Sequence, residues 1–262
     1  MRALGFYPVD PEKLEKQVTS FLEQDVKPVQ DALGAIVPHA GYPFSGMLAA
    51  KTLKAAKTKN HRFIIMGPNH MGHDTLIDNG EWRTPLDKLK LDNDFIKKLN
   101  IKQDSTLEHS IEVQLPILQK LYNDFSFVPL VVGPNTFDEL KQLAKQLMTS
   151  DHFYIASSDF IHFGPNYNYV PSEAGPGQQD QLKWVKNIDR KLAELICNLK
   201  AKEFFEEIEK KEYTVCGYRA ITLFMLLMEK LGAKQGQTID YATSYDVYPN
   251  HSFVSYVGFV FS

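Results

Sequence analysis

Three times along this chain a short apolar run of strand length ends in a polar loop that carries histidine. Leu33 to Val37 runs into Pro38-His39-Ala40-Gly41-Tyr42, and Arg62 to Met66 runs into Gly67-Pro68-Asn69-His70. Phe153 to Ala156 stops at Ser157-Ser158-Asp159-Phe160-Ile161-His162-Phe163-Gly164. Short apolar runs bounded by glycine and proline read as buried strands. Helical spacing fills the intervals, over Ser45 to Ala56, Ser110 to Leu121 and Phe137 to Met148. Strands that alternate with helices imply a largely parallel sheet with helices on both faces, because parallel neighbours need a crossover between them. The ligand crevice of such a sheet lies outside the carboxyl ends of its strands. His39, His70, Asp159 and His162 are therefore expected to converge there.

The remaining segments complete an α/β sandwich in one domain covering residues 1–262. Asp10-Pro11 reads as an N-cap and first-turn proline, opening a helix whose apolar positions are Leu14, Val18, Phe21 and Leu22. Short strands are expected around Asn79-Gly80, and a further strand over Phe125 to Val132. Val170 to Gln179 is rich in proline, glycine and glutamine and reads as a loop. Helices then cover Asp180 to Leu199, Ala201 to Lys210 and Tyr218 to Leu231. Two alternating runs, Thr238 to Ser244 and Ser252 to Phe261, are expected as antiparallel edge strands.

Composition narrows the function. With 29 Lys+Arg against 32 Asp+Glu in 262 residues, the formal net charge is −3, which offers no positive field for nucleic acid. No apolar run approaches the roughly 18 residues that cross a bilayer. The first residues lack the charged start and apolar core of a secretory signal, so the cytoplasm is the expected compartment. Cys197 and Cys216 are then expected as reduced thiols.

Imidazole nitrogen suits Zn, Cu, Fe and Ni, so two or three strand-end histidines with a carboxylate or thiolate would make a transition-metal site. Glu108-His109-Ser110-Ile111-Glu112-Val113-Gln114 adds a second polar cluster. Its Glu108 and Glu112 are spaced to share one helical face, where they could orient a ligand histidine or simply favour a helix start. Cys216 precedes a helix, whose amide donors favour a thiolate, so it reads as a ligand or a reactive thiol. Cys197 sits among Leu195, Ile196 and Leu199 and reads as an inert core residue. His61, His73, His152 and His251 carry no spacing signal, although His73 and His251 draw attention as further polar positions. Dinucleotide and Walker-type loops are absent, and neither Ser45-Gly46 nor Ser157-Ser158 forms a nucleophile elbow.

Taken in order, Pro38-His39-Ala40-Gly41-Tyr42, Gly67-Pro68-Asn69-His70, Glu108-His109-Ser110-Ile111-Glu112, Ser157-Ser158-Asp159-Phe160-Ile161-His162 and Cys216-Gly217 resemble the MEMO family. The resemblance runs from Arg2-Ala3 to the Ser255-Tyr256-Val257-Gly258 strand, and Asn69 with Met71-Gly72 looks closer to prokaryotic than animal forms. It implies a fold similar to class III extradiol ring-cleaving dioxygenases. By motif match it places a metal on His39, His70 and Cys216, with Asp159 and His162 in the polar pocket. A thiolate in the third position departs from the 2-His-1-carboxylate pattern and favours a softer metal, so iron, copper and zinc all stay open. The resemblance also implies either redox chemistry or peptide binding, and for prokaryotic members a radical-enzyme partner. The expectation is a metal-dependent redox protein in which His162, Asp159 and His109 serve the chemistry and Glu112 and Tyr42 meet a small molecule or peptide. The alternatives are a scaffold that uses the same pocket for a peptide or small anion without catalysis, and a metal-assisted hydrolase.

Overall fold

Asp10 caps the first helix as its sequence requires, its side chain accepting from the Lys13 amide at 2.9 Å, with Pro11 in the first position of α1 (Pro11–Leu22). The computed structural model describes every residue except His73, so the attention drawn to that histidine falls outside the described residues. Strands β1 (Gly34–Val37), β2 (Arg62–Pro68), β3 (Leu76–Asp78), β4 (Lys90–Leu91) and β5 (Gln103–Asp104) come from the first half of the chain. The second half supplies β6 (Ser126–Val132), β7 (Phe153–Ser157), β8 (His162–Phe163), β9 (Gly236–Thr243) and β10 (Phe253–Phe261). The other helices are α2 (Met47–Ala55), α3 (Asn93–Ile96), α4 (Leu115–Leu121), α5 (Phe137–Leu147), α6 (Gln178–Cys197), α7 (Ala201–Lys211) and α8 (Tyr218–Lys230).

The sheet is mixed and runs β5-β3-β6-β2-β7-β1-β10-β8, with β4 also on β6 and β9 also on β10. Its centre, β6-β2-β7-β1, is parallel throughout, with Ile64 opposite both Val128 and Tyr154. These strands are buried on both faces, which is why they read as unbroken apolar runs. Alternate residues feed separate cores. Ile64, Met66, Val128 and Leu130 pack with α5, α6, α7 and α8. Phe63, Ile65, Phe127 and Val131 pack with α1, α2 and α4. Each fully buried aliphatic or phenyl side chain is worth roughly 1.5–3 kcal/mol, so the two cores hold the strand ends in fixed relation.

The structure departs from the sequence reading in three places. The helix expected from Ser45 begins instead as a π-helical turn, Tyr42–Gly46, before α2. The helix expected from Ser110 is a turn and a 3₁₀ segment, Glu112–Gln114, before α4 starts at Leu115. Strand β10 is no edge strand: it pairs antiparallel with β1 and β9 and receives β8 at its start. Among the described residues no helix is long and apolar enough to cross a membrane.

Among the buried acids outside the crevice, one is pushed towards protonation by its surroundings. Asp189 of α6 is 1% exposed and accepts from the Tyr241 hydroxyl of β9 at 2.9 Å. Burial pushes its carboxyl up to about 7, against the opposing pull of Ser255, Tyr241 and the Ile161 amide. An unfolded carboxyl titrates near 4, so the folded chain binds the extra proton between about pH 4 and 7 and loses stability as pH rises through that window. The shift corresponds to a penalty on the order of 4 kcal/mol above pH 7. Asp189→Asn should therefore unfold at higher denaturant than the parent at pH 8, with the gap shrinking towards pH 4. A gap that does not change with pH in chemical denaturation would remove the assignment.

Candidate metal centre

His39 follows β1, His70 follows β2 and Ser157 ends β7, so the three parallel strands deliver their polar loops to one end of the sheet. The segment carrying Glu108, His109 and Ser110 closes over that end. It comes this near because Gly67 lacks a side chain: a Cβ there would fall onto the Ser110 hydroxyl. Gly217 does the same for α8, since its Cβ would stand 2.6 Å from Ser158 Cβ. These two close approaches bring His109 and Cys216 to the strand-end histidines.

Nitrogen atoms of His39, His70 and His109 all lie within 4.8 Å of one another. Hydrogen bonds decide which nitrogens face inward. Ser157 Oγ donates to the Ser110 carbonyl at 2.7 Å and accepts from Gln114 Nε2 at 3.0 Å. Its remaining lone pair can only accept from His39 Nδ1, 3.2 Å away, so His39 carries its proton on Nδ1 and a lone pair on Nε2. Burial lowers His39 to about 4, with His70 and His109 adding to the effect and Asp159 opposing it. The ring is thus neutral at pH 7, as a metal ligand must be.

Glu108 fixes His70 in the same way. One carboxylate oxygen accepts from the His70 amide at 2.8 Å, and the other accepts from His70 Nδ1 and the Ser110 amide, both at 2.9 Å. Burial works against the ionised form of Glu108, but the His70 contacts and the two amides outweigh it and hold the carboxyl at about 2. The carboxylate only accepts, so His70 Nδ1 carries hydrogen and Nε2 is the ring nitrogen that a cation would take. His109 stacks on His70 at 4.8 Å and on Phe6 at 4.2 Å. Burial lowers its pKa, with Glu108 opposing and His70 adding to the effect.

Cys216 Sγ lies 3.3 Å from His39 Nε2 and 3.6 Å from the Asp159 carbonyl. Burial and the nearby Asp159 carboxylate push the thiol up, with weaker opposition from Asp159 and Ser158 hydrogen bonds. Burial thus opposes the thiolate that a helix start favours, and the thiol donates to the Asp159 carbonyl with His39 Nε2 beside it. Cys197 is half-buried against Thr238, and burial pushes its thiol up too.

The other residues singled out in the sequence fall into two groups. Asp159 and His162 line the crevice, a cleft of about 360 Å³ shared with His39, His70, His109 and the aromatic rings of Phe6, Phe44, Tyr167, Tyr248 and Tyr256. Asp159 Oδ1 accepts from the His39 and Ala40 amides at 2.8 and 3.2 Å, holding the loop in place. His162 Nδ1 stands 3.0 Å from both the Phe160 and Thr214 carbonyls, so it carries hydrogen and leaves Nε2 as an acceptor. Tyr42 and Glu112 lie elsewhere. Tyr42 is buried with its hydroxyl donating to the Val113 carbonyl at 2.9 Å, while Ala40, Gly41 and Phe44 of the same stretch line the cleft. Glu112 accepts from the Arg2 and Ala3 amides at 2.6 and 3.0 Å and from the Tyr7 hydroxyl at 2.6 Å, tying down the arm that carries Phe6. Ser157 and Gln114 are the residues that sequence reasoning missed. Ser157 showed only as a serine at a strand end, weighed as a nucleophile, and Gln114 only as the last residue of the second polar cluster.

Two hydrogen-bond partners orient two of the rings that could hold a metal, so removing either should weaken metal binding without removing a donor atom. Ser157→Ala and Glu108→Gln are each expected to cost about 10- to 100-fold in Co²⁺ affinity by visible absorption titration. Affinity unchanged in both variants would show that the rings need no such orientation.

Comparison with known proteins places the chain in a family. The family of Memo-like proteins matches residues 2–260. A MEMO1 family protein of Archaeoglobus fulgidus is 31% identical over 276 aligned positions, covering 98% of this chain and 96% of that protein. Another from Thermococcus onnurineus is 33% identical, with the same coverage of 98% and 96%. A third, from Saccharolobus solfataricus, is 32% identical over 97% of this chain and 95% of its own length. With the strand-end histidines, the Glu108 segment and Cys216-Gly217 all in place, the chain belongs to the Memo-like protein family.

Proposed function

We propose that this protein is a metal-dependent redox protein that binds a transition metal on His39 and His70, with His109 and Cys216 completing the donor set. The observation that carries it is the hydrogen-bonded tautomer of two rings: Ser157 and Glu108 hold the Nδ1 protons of His39 and His70, and both Nε2 lone pairs are left for a cation. Imidazoles with an adjoining sulfur suit copper, iron or zinc. A cation bound there would supply Lewis acidity and, for iron or copper, one-electron chemistry, and would draw the proton from Cys216.

The chain's own groups do the rest. The cleft, at about 360 Å³, lies at the lower end of the range for small-molecule sites, which favours a small molecule over an extended peptide. Its aromatic walls exclude water from one side of the substrate. His162 Nε2, with Nδ1 held by two carbonyls, accepts a proton from the bound molecule and can return it. Asp159 keeps the His39 loop in register throughout.

The test is metal content after anaerobic purification. The parent chain should carry copper, iron or zinc that His39→Ala lacks, and equal content in both would overturn the reading. Dioxygen uptake by the copper- or iron-loaded chain with a reductant then separates redox chemistry from hydrolysis. In that assay His162→Ala should lose about 10²- to 10⁴-fold in rate while retaining its metal. Cys216→Ser should weaken Cu(I) much more than Co²⁺ in competitive titration, because it removes the soft donor and leaves the imidazoles. The fold should keep nearly the parent's thermal midpoint, since the two side chains differ little in volume.

A further inference from the structure

His70 lines two cavities, and Cys216 lines only one of the two. The first is the cleft already described; the second is a smaller cavity of about 190 Å³, formed where β2 and β6 end against the first turn of α8. Pro68, Val132, Pro134 and Ala220 give it apolar walls, and Asn69, His70 and Cys216 also line it. Cys216 does not contribute to the lining of the cleft, whereas His39 and His109 contribute to that lining and not to the rear cavity. Among the described residues of the lining the one arginine, Arg219, is already engaged, donating to the Asn135 carbonyl at 3.0 Å and to Glu209 at 2.9 Å. Among the described residues, no free charged side chain faces this lining.

We propose that the rear cavity is a second entrance to the centre, by which small uncharged molecules of a few heavy atoms reach Cys216 and the inner face of His70 without passing through the cleft. The volume sets the size limit, since it falls below the roughly 300 Å³ at which pockets for larger organic ligands begin. The wall composition sets the polarity. A substrate held in the aromatic cleft therefore leaves the opposite side of the centre open to a second, smaller reactant. This consequence rests on the metal-binding reading, but the entrance itself does not.

The route can be read on the metal-free chain, so its failure and the failure of the metal assignment remain distinct. Methyl methanethiosulfonate is small and uncharged. A cysteine thiolate attacks its thiol sulfur, forming a methyl disulfide and releasing methanesulfinate, and peptide mass mapping reports Cys216 and Cys197 separately. Pro134 is exposed at the mouth of the cavity, so Pro134→Trp narrows the entrance without entering the core. The variant should slow labelling of Cys216 at least about tenfold and leave Cys197 unaffected. On the parent chain, benzyl methanethiosulfonate should be slower than the methyl reagent at Cys216 by a much larger factor than at Cys197. Cys216 labelling that is unchanged by Pro134→Trp, or a size dependence equal at the two cysteines, would overturn the proposal.

Discussion

A single hydroxyl holds the centre together. Ser157 Oγ has one proton and two lone pairs, and all three are spent: on the Ser110 carbonyl, on Gln114 and on His39. The contact joins the end of β7, the loop after β1 and the segment that carries Glu108 and His109. Gln114 extends it by donating to the Pro38 carbonyl at 2.8 Å, next to His39 in sequence. A hydrogen bond of this kind is worth only about 1 kcal/mol net, but leaving a buried partner unpaired costs about 1–3 kcal/mol, so the set is all or none. Which nitrogen of His39 is left to face a cation depends on where the ring holds its proton, and Ser157 fixes that.

The arrangement of strands and helices was legible because two signals coincide in this chain. Apolar runs too short for a helix ended in glycine, proline and histidine, and helical spacing resumed after each. The central strands are buried on both faces, which is why their sequences carry no alternation and still read clearly as strands. The short pieces α3, β5 and β8 escaped because they are two to four residues long and are held by tertiary neighbours rather than by pattern. Placement of β10 inside the sheet escaped for a similar reason: an antiparallel partner for β1 leaves no mark on β1 itself.

At the site, position along the chain was more legible than direction. The convergence of His39, His70, Asp159 and His162 follows from where their strands end. Glu108 and Glu112 look like a pair on one helical face, but the helix starts only beyond them, so each points its own way. Glu108 reaches His70, and Glu112 reaches the backbone of the first residues. Tyr42 sits in a loop of cleft residues, yet the π-helical turn carries its ring into the core against Tyr7 and Phe21. Periodicity fixes the face of a regular element and says nothing about a turn.

Distance along the chain also has a consequence for when this centre comes into being. His39 and Ser157 are 118 positions apart, and His39 and Cys216 are 177 apart. A ribosome therefore releases His39 long before Ser157, which orients it, and parallel pairing across such intervals is slow to form. During that interval His39 and His70 are ordinary flexible side chains with no fixed tautomer. Only the finished fold presents the bare nitrogens together, so a cation would distinguish the native chain from its precursors. By mass action, a cation at 100 times its dissociation constant would add about 2.7 kcal/mol to native stability, making occupancy a record of completed folding.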